Sequence, residues 1–183
     1  MVQLQQIQRR IWGLSLMELV VVIAILGILG IVVVLAIDPV ETQRRAEDAN
    51  RRTDLIALKT AVDQALAAGA ALPGSVAKPF VGKSTENRDS ADKTNYLGMD
   101  LSKYLPRLPA DPRQNSADTT SISDGKTQIQ PGAMVYTFIS NGRTYELNTY
   151  FESTDNAALA ANDGGSNAII FEVGTQPGLD LLP

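Results

Sequence analysis

The sequence predicts an α+β protein in which a long N-terminal helix packs on a small antiparallel β-sheet. The helix is expected to be transmembrane in its first half and amphipathic in its second. From Leu19 to Ile37 no residue is polar, and from Val40 to Ala68 apolar residues recur at helical spacing. Further along the chain, runs rich in β-branched and aromatic residues flank Asn141-Gly142, which is a strong hairpin signal.

The apolar segment has the length of a membrane span. At about 1.5 Å per residue it forms a helix roughly 28 Å long, close to the about 30 Å of a bilayer core. Lipid offers no hydrogen-bond partner to the backbone, so the segment should be helical there. Arg9 and Arg10 precede it and predict a cytoplasmic N-terminus. Glu18 lies inside its N-terminal end, where a carboxylate is disfavoured and usually has a function or a partner.

The residues at the start of this segment resemble a known processing signal. Gly13-Leu14-Ser15-Leu16-Met17-Glu18, followed by the apolar run, resembles the class III leader of type IV pilins and pseudopilins. In that family a membrane-embedded prepilin peptidase cuts after the glycine and N-methylates the new terminus. The resemblance implies cleavage between Gly13 and Leu14 and methylation of Leu14. It also implies an assembly role for Glu18, which would pair with the terminal amine of a neighbouring subunit.

The same resemblance divides the chain into four parts. Residues 1–13 form the leader, residues 14–37 the transmembrane or filament-core helix, residues 38–69 an amphipathic helix, and residues 70–183 a pilin-like globular region. Asp38-Pro39 is a favourable helix start, so either a new helix begins there or one long helix kinks. The family has one long, often bent helix, which favours the kink.

The amphipathic helix is expected to pack on the sheet through its second half only. Its apolar stripe consists of Leu55, Leu58, Val62, Ala65 and Leu66. Residues 42–54 contain few large apolar side chains and several acid-base pairs four residues apart. We therefore expect residues 42–54 to form a charged stalk that does not pack on the globular region.

The globular region contains three predicted strands. They cover residues 135–139, 144–151 and 168–173, and along the second strand Tyr145 and Leu147 face one side while Glu146 and Asn148 face the other. Two polar stretches, residues 75–95 and 115–130, are predicted to be loops.

Two features of this region resemble the G-type pseudopilins. The proline-rich run at residues 105–112 is similar to one that precedes the sheet in those proteins and in their pilin relatives; the alternative is a loop stiffened by its prolines. G-type pseudopilins can also bind calcium in a C-terminal loop, and Asp155 and Asp163 could supply oxygen ligands here. Their spacing matches no derived calcium motif, so a plain turn is the favoured interpretation and no cofactor is predicted.

The composition excludes several classes of chemistry. The chain has no histidine and no cysteine, which excludes Ser-His-Asp and Cys-His sites and zinc held by His or Cys. The sequence therefore predicts that the protein is not an enzyme. The formal net charge is −4, which argues against a general nucleic-acid binder.

Together these observations predict a structural subunit of a type IV pilus-like filament. Its expected partners are further copies of itself, a prepilin peptidase, a membrane assembly platform with its ATPase, and membrane lipid before assembly. The precursor would cross the cytoplasmic membrane once, with its N-terminus inside, and later join a cell-surface or periplasmic filament. The alternatives are a pseudopilin of a type II secretion system and a monomeric single-span protein with an external binding domain.

Overall fold

The computed structural model describes most of the chain, in five stretches: residue 13 and residues 15–36, 38–86, 89–175 and 180–181. The chain divides into two compact units after Pro39.

In the first unit, the described residues form the helix α1, which covers Leu16–Ala36. From Leu16 to Val33 its side chains are exposed, and the mean hydropathy of this window is 3.0. A helix of this length and composition could span a membrane or serve as a signal sequence. Its large exposed apolar surface needs a covering, either lipid or other protein.

The second helix, α2, covers Pro39–Ala67. Asp38 lies outside both helices and Pro39 occupies the first helical position, where its missing N–H removes no hydrogen bond. A new helix therefore begins here, and the expectation of one long kinked helix was wrong. Beyond the end of α2, Gly69 has a φ of +91°, a left-handed conformation that favours glycine at helix ends.

A four-stranded antiparallel sheet and a separate two-stranded ribbon follow α2. The strands are β1 (Phe80–Lys83), β2 (Thr120–Ser121), β3 (Gln128–Ile129), β4 (Thr137–Ser140), β5 (Tyr145–Thr149) and β6 (Phe171–Gly174), with a short helix α3 (Ala157–Ala161) between β5 and β6. The larger sheet has the order β1-β4-β5-β6, and the ribbon pairs β2 with β3.

The predicted hairpin and third strand are confirmed, although the strands are shorter than predicted and β4 and β6 each end one residue later. β4 and β5 pair around Asn141-Gly142, where Gly142 has a φ of +79°. The prediction of a loop over residues 75–95 was wrong at β1, which pairs with β4 along the edge of the sheet. The predicted loop over residues 115–130 contains β2 and β3, and Ile122 between them is fully buried.

The core lies between α2 and one face of the four-stranded sheet. The apolar stripe of α2 packs there as predicted, with Leu66 only partly buried. The sheet contributes Phe138, Tyr145 and Leu147, and the segment between β1 and β2 adds further side chains: Tyr96, Leu97, Met99, Leu101 and Leu108.

Candidate functional site

Gly13, after which cleavage is predicted, is the first residue that the structure describes. A Cβ atom added to it would meet nothing within 4 Å, so the fold itself does not require a glycine at this position. The predicted cleavage and methylation residue, Leu14, lies outside the described residues.

Glu18 has local hydrogen-bond partners that the sequence analysis did not anticipate. Its Oε2 accepts a hydrogen bond from the backbone N–H of Ser15 at 2.9 Å, and the Ser15 Oγ accepts one from the backbone N–H of Glu18 at 3.2 Å. This reciprocal pair is a capping box, which satisfies two N–H groups at the start of a helix. The Glu18 carboxylate therefore has a hydrogen-bond partner within its own chain. Its presence in the apolar helix does not by itself require a partner from a second copy.

Arg51 of α2 is a fully buried cation in the globular unit. Its guanidinium contacts carboxylates from three parts of the chain. Nε lies 2.7 Å from Asp111 Oδ2, Nη1 lies 2.8 Å from Asp48 Oδ1, and Nη2 lies 2.7 Å from Glu152 Oε2. The expectation that residues 42–54 form an unpacked stalk was therefore wrong, because this part of α2 packs through ions instead of apolar side chains.

Asp48, one turn before Arg51, fixes the chain that follows β5. Its Oδ1 accepts the backbone N–H of Glu152 and its Oδ2 accepts the backbone N–H of Ser153, both at 2.9 Å. Oδ2 also accepts a hydrogen bond from Asn156 Nδ2 at 2.8 Å. One side chain on α2 thus satisfies backbone donors that would otherwise be buried without a partner.

The charge states of this cluster follow from the same contacts. Burial opposes ionisation of Arg51, but its hydrogen bonds and charge interactions with Asp111 and Glu152 raise its pKa above the ordinary value. Burial would raise the pKa of Glu152, yet the hydrogen bond from Thr120 and the charge of Arg51 lower it overall. Glu47, at the rim, differs because burial raises its pKa and its contact with Glu152 adds to the rise.

The two candidate calcium ligands are each engaged with other groups. Asp155 Oδ2 forms an ion pair with Arg45 Nη2 at 2.7 Å. Asp163 accepts the backbone N–H groups of Gly165 at 2.8 Å and Glu172 at 2.7 Å, as expected of a turn-forming aspartate. Within the part of the chain that the structure describes, no group of three or more His, Cys, Asp or Glu side chains is arranged to hold a metal ion.

Comparison with known proteins identifies no relatives of this chain: no protein-family model, no curated protein and no solved structure matches it.

Proposed function

We propose that this protein is a structural subunit of a type IV pilus-like filament. In this proposal, prepilin peptidase processes it after Gly13 and it polymerises through α1. The observation that carries the proposal is the sequence from Gly13 to Glu18, followed by the uninterrupted apolar run of α1 that begins at Leu19. The exposed surface of α1 supports it, because such a helix leaves lipid only for an equally apolar environment, which a bundle of identical helices supplies.

Glu18 would have two successive roles in this mechanism. Before assembly, the capping box with Ser15 holds the carboxylate and begins the helix. During assembly, the terminal amine of a neighbouring Leu14 would approach the same carboxylate and neutralise its charge. The hydrogen bond from the Ser15 N–H leaves that charge uncompensated, so the carboxylate gains an ion pair that a single copy does not provide.

Two other functions remain as alternatives. The first is a pseudopilin of a type II secretion system: the proline-rich run at residues 105–112 is similar to one in the G-type pseudopilins and their pilin relatives, so it fits a secretion pseudopilus and a surface fibre equally well. The capping box favours a monomeric membrane anchor, because it gives Glu18 a role that needs no second copy.

The substitution Glu18→Gln separates the filament from the monomeric anchor. Glutamine also completes a capping box, so helix initiation and membrane insertion are retained while the negative charge is lost. The filament proposal predicts that the amount of polymer sheared or pelleted from cells falls at least about tenfold. A tenfold change in an equilibrium corresponds to the loss of one ion pair worth ~1.4 kcal/mol.

The matched control is Ser15→Ala, which removes the cap but keeps the charge. It should insert in the membrane and assemble better than Glu18→Gln. If Glu18→Gln assembles as well as the unmodified protein, the ion-pairing role of Glu18 is wrong. If the unmodified protein never polymerises in a host with a working pilus apparatus, the monomeric anchor is the better account.

A further inference from the structure

Glu47 and Glu152 are two carboxyl groups that meet at the same guanidinium nitrogen. Arg51 Nη2 lies 2.7 Å from Glu152 Oε2 and 3.7 Å from Glu47 Oε2. Both N–H groups of this nitrogen are engaged, because it donates to Glu152 Oε2 at 2.7 Å and to Asp111 Oδ1 at 3.2 Å. This nitrogen therefore has no N–H group left to donate to Glu47.

Glu47 has one satisfied and one unsatisfied oxygen. Its Oε1 accepts a hydrogen bond from Gln43 Nε2 at 2.8 Å. Its Oε2 is buried and has no hydrogen-bond partner among the residues that the structure describes. A buried carboxylate oxygen without a donor is unfavourable. The same oxygen is satisfied when it carries a hydrogen, because a protonated carboxyl group is a donor.

Glu152 provides the acceptor for that hydrogen. The carboxyl groups of Glu47 and Glu152 are in hydrogen-bonding contact. Glu152 Oε2 accepts the hydrogen bond from Arg51 and, with two lone pairs, can accept a second. Its Oε1 accepts hydrogen bonds from Arg113 Nη1 at 3.1 Å and from the Thr120 hydroxyl, which hold the carboxylate in place.

The charged groups that face this pair leave an excess of negative charge. They are two residues of α2 and three of the segment before β2: Asp48, Arg51, Asp111, Arg113 and Asp118. The two guanidinium groups cannot neutralise all the carboxylates, so binding of one proton reduces the repulsion among them.

Glu47 is the member of the pair that binds this proton. Burial raises its pKa above the ordinary value, and the contact with Glu152 adds to the rise. Burial would also raise the pKa of Glu152, but the hydrogen bond from Thr120 and the charge of Arg51 lower it overall. The Glu47 side chain is 16% exposed and lines a small polar cavity, so its proton can exchange with solvent.

We propose that protonated Glu47 donates a hydrogen bond to ionised Glu152, and that this bond makes the attachment of the N-terminal half of α2 sensitive to pH. The bond adds to the existing link between α2 and the chain after β5, where Asp48 accepts the backbone N–H of Glu152. As the pH rises, the proton leaves to solvent and two adjacent carboxylates repel each other. This inference does not depend on the filament function.

The sign of the effect follows from the two pKa shifts. The pKa of Glu47 in the folded protein lies above its ordinary value of 4.5, so its contribution is complete below pH 4.5 and is lost as the pH rises through the folded-state pKa. Glu152 has a lowered pKa and stays ionised above pH 4.5. Over this range the attachment should therefore weaken as the pH increases.

The first test is the titration of Glu47 in the full-length protein in detergent, followed by ¹³C NMR of the glutamate side-chain carboxyl carbons. The signal that is missing from Glu47→Gln identifies Glu47. We expect its midpoint to lie above pH 4.5, and Glu86→Gln, at an exposed position, should leave that midpoint unchanged. A midpoint at or below pH 4.5 would overturn the proposal.

Hydrogen exchange tests whether the proton holds α2. Protection factors of the backbone amides of residues 47–54 are compared with those of β4, so that changes in overall stability cancel. In the unmodified protein this ratio should fall at least about fivefold between pH 4.5 and pH 8, the effect of about one hydrogen bond.

Two substitutions of Glu47 assign this change to the pair. Glu47→Gln should keep the higher protection at both pH values, because its amide N–H can donate to Glu152 whatever the pH. Glu47→Ala should show the lower protection at both. An unmodified protein whose ratio does not change with pH, or a Glu47→Gln variant that keeps the full change, would show that the shared proton does not hold α2.

Discussion

Replacing Arg51 with methionine would leave Asp48, Asp111 and Glu152 as buried carboxylates without their shared cation. Removal of one partner from a buried ion pair typically costs about 3–5 kcal/mol, because the remaining charge is desolvated and uncompensated. We expect Arg51→Met to lower the free energy of unfolding of the globular unit by that amount, measured by denaturant unfolding of the full chain in detergent.

The adjacent Arg52 provides the control, since it lies on the same helix and is exposed. Arg52→Met should change the free energy of unfolding by less than about 0.5 kcal/mol, as is usual for surface positions. Equal effects of the two substitutions would mean that the ionic cluster does not stabilise the globular unit as described.

The role of Arg51 could not be predicted from the sequence, because its partners are distant along the chain. Asp111 lies 60 residues away and Glu152 lies 101 residues away. Locally, Arg51 is one of several charged residues on a helix with an acidic residue one turn earlier, a pattern typical of a solvated face. By contrast, the resemblance around Glu18 was visible because its residues are contiguous, although the capping role of Ser15 was overlooked in the same six residues.

At the scale of elements, the pairing of β5 with β6 places acidic side chains together. Glu172 of β6 is fully buried, and burial raises its pKa to about 7, with the charges of Glu146 and Asp163 adding to the rise. Its ordinary value is 4.5, so between these two values the folded state binds more protons than the unfolded state. The stabilisation is therefore complete below pH 4.5 and is lost as the pH rises through about 7.

This pairing gives a measurable pH dependence. The free energy of unfolding is measured between pH 5 and pH 8 with a calcium chelator present. It should decrease over this range in the unmodified protein, and Glu172→Gln should remove part of that decrease. Glu86→Gln, at an exposed position, is the control and should behave like the unmodified protein. A Glu172→Gln variant with the full pH dependence would contradict the assignment to this strand pair.

The elements that the sequence predicted are those with strong local patterns. The β4–β5 hairpin has its turn residues, and α2 has a regular apolar stripe. β1 was missed because it is four residues long, lies within a polar stretch and is defined by its pairing with β4. The burial of Glu146 and Asn148 was also not visible, because residues distant in sequence cover that face of the sheet.

For the whole molecule, the sequence predicted the coarse α+β architecture but not how the N-terminal part of α2 is attached to the globular unit. The composition indicated a stalk because apolar residues are scarce there. In the structure this part of α2 is held by the buried ion pairs of Arg51, whose partners come together only in the folded chain. The side chains of α1 have the opposite character, because from Leu16 to Val33 they are largely apolar and are exposed among the described residues. That difference is consistent with a globular unit that has its own core and with a helix that lipid or other copies would cover.

The central claim is that this chain is processed at Gly13 and joins a filament through its new N-terminus. Mass spectrometry of the N-terminus of native protein purified from its own membrane tests this claim most directly. The account predicts a first residue of Leu14 carrying one methyl group on its amine. A chain that retains Met1 would contradict the account. So would a chain that is cut after α1, which is where a secretory signal sequence would be removed.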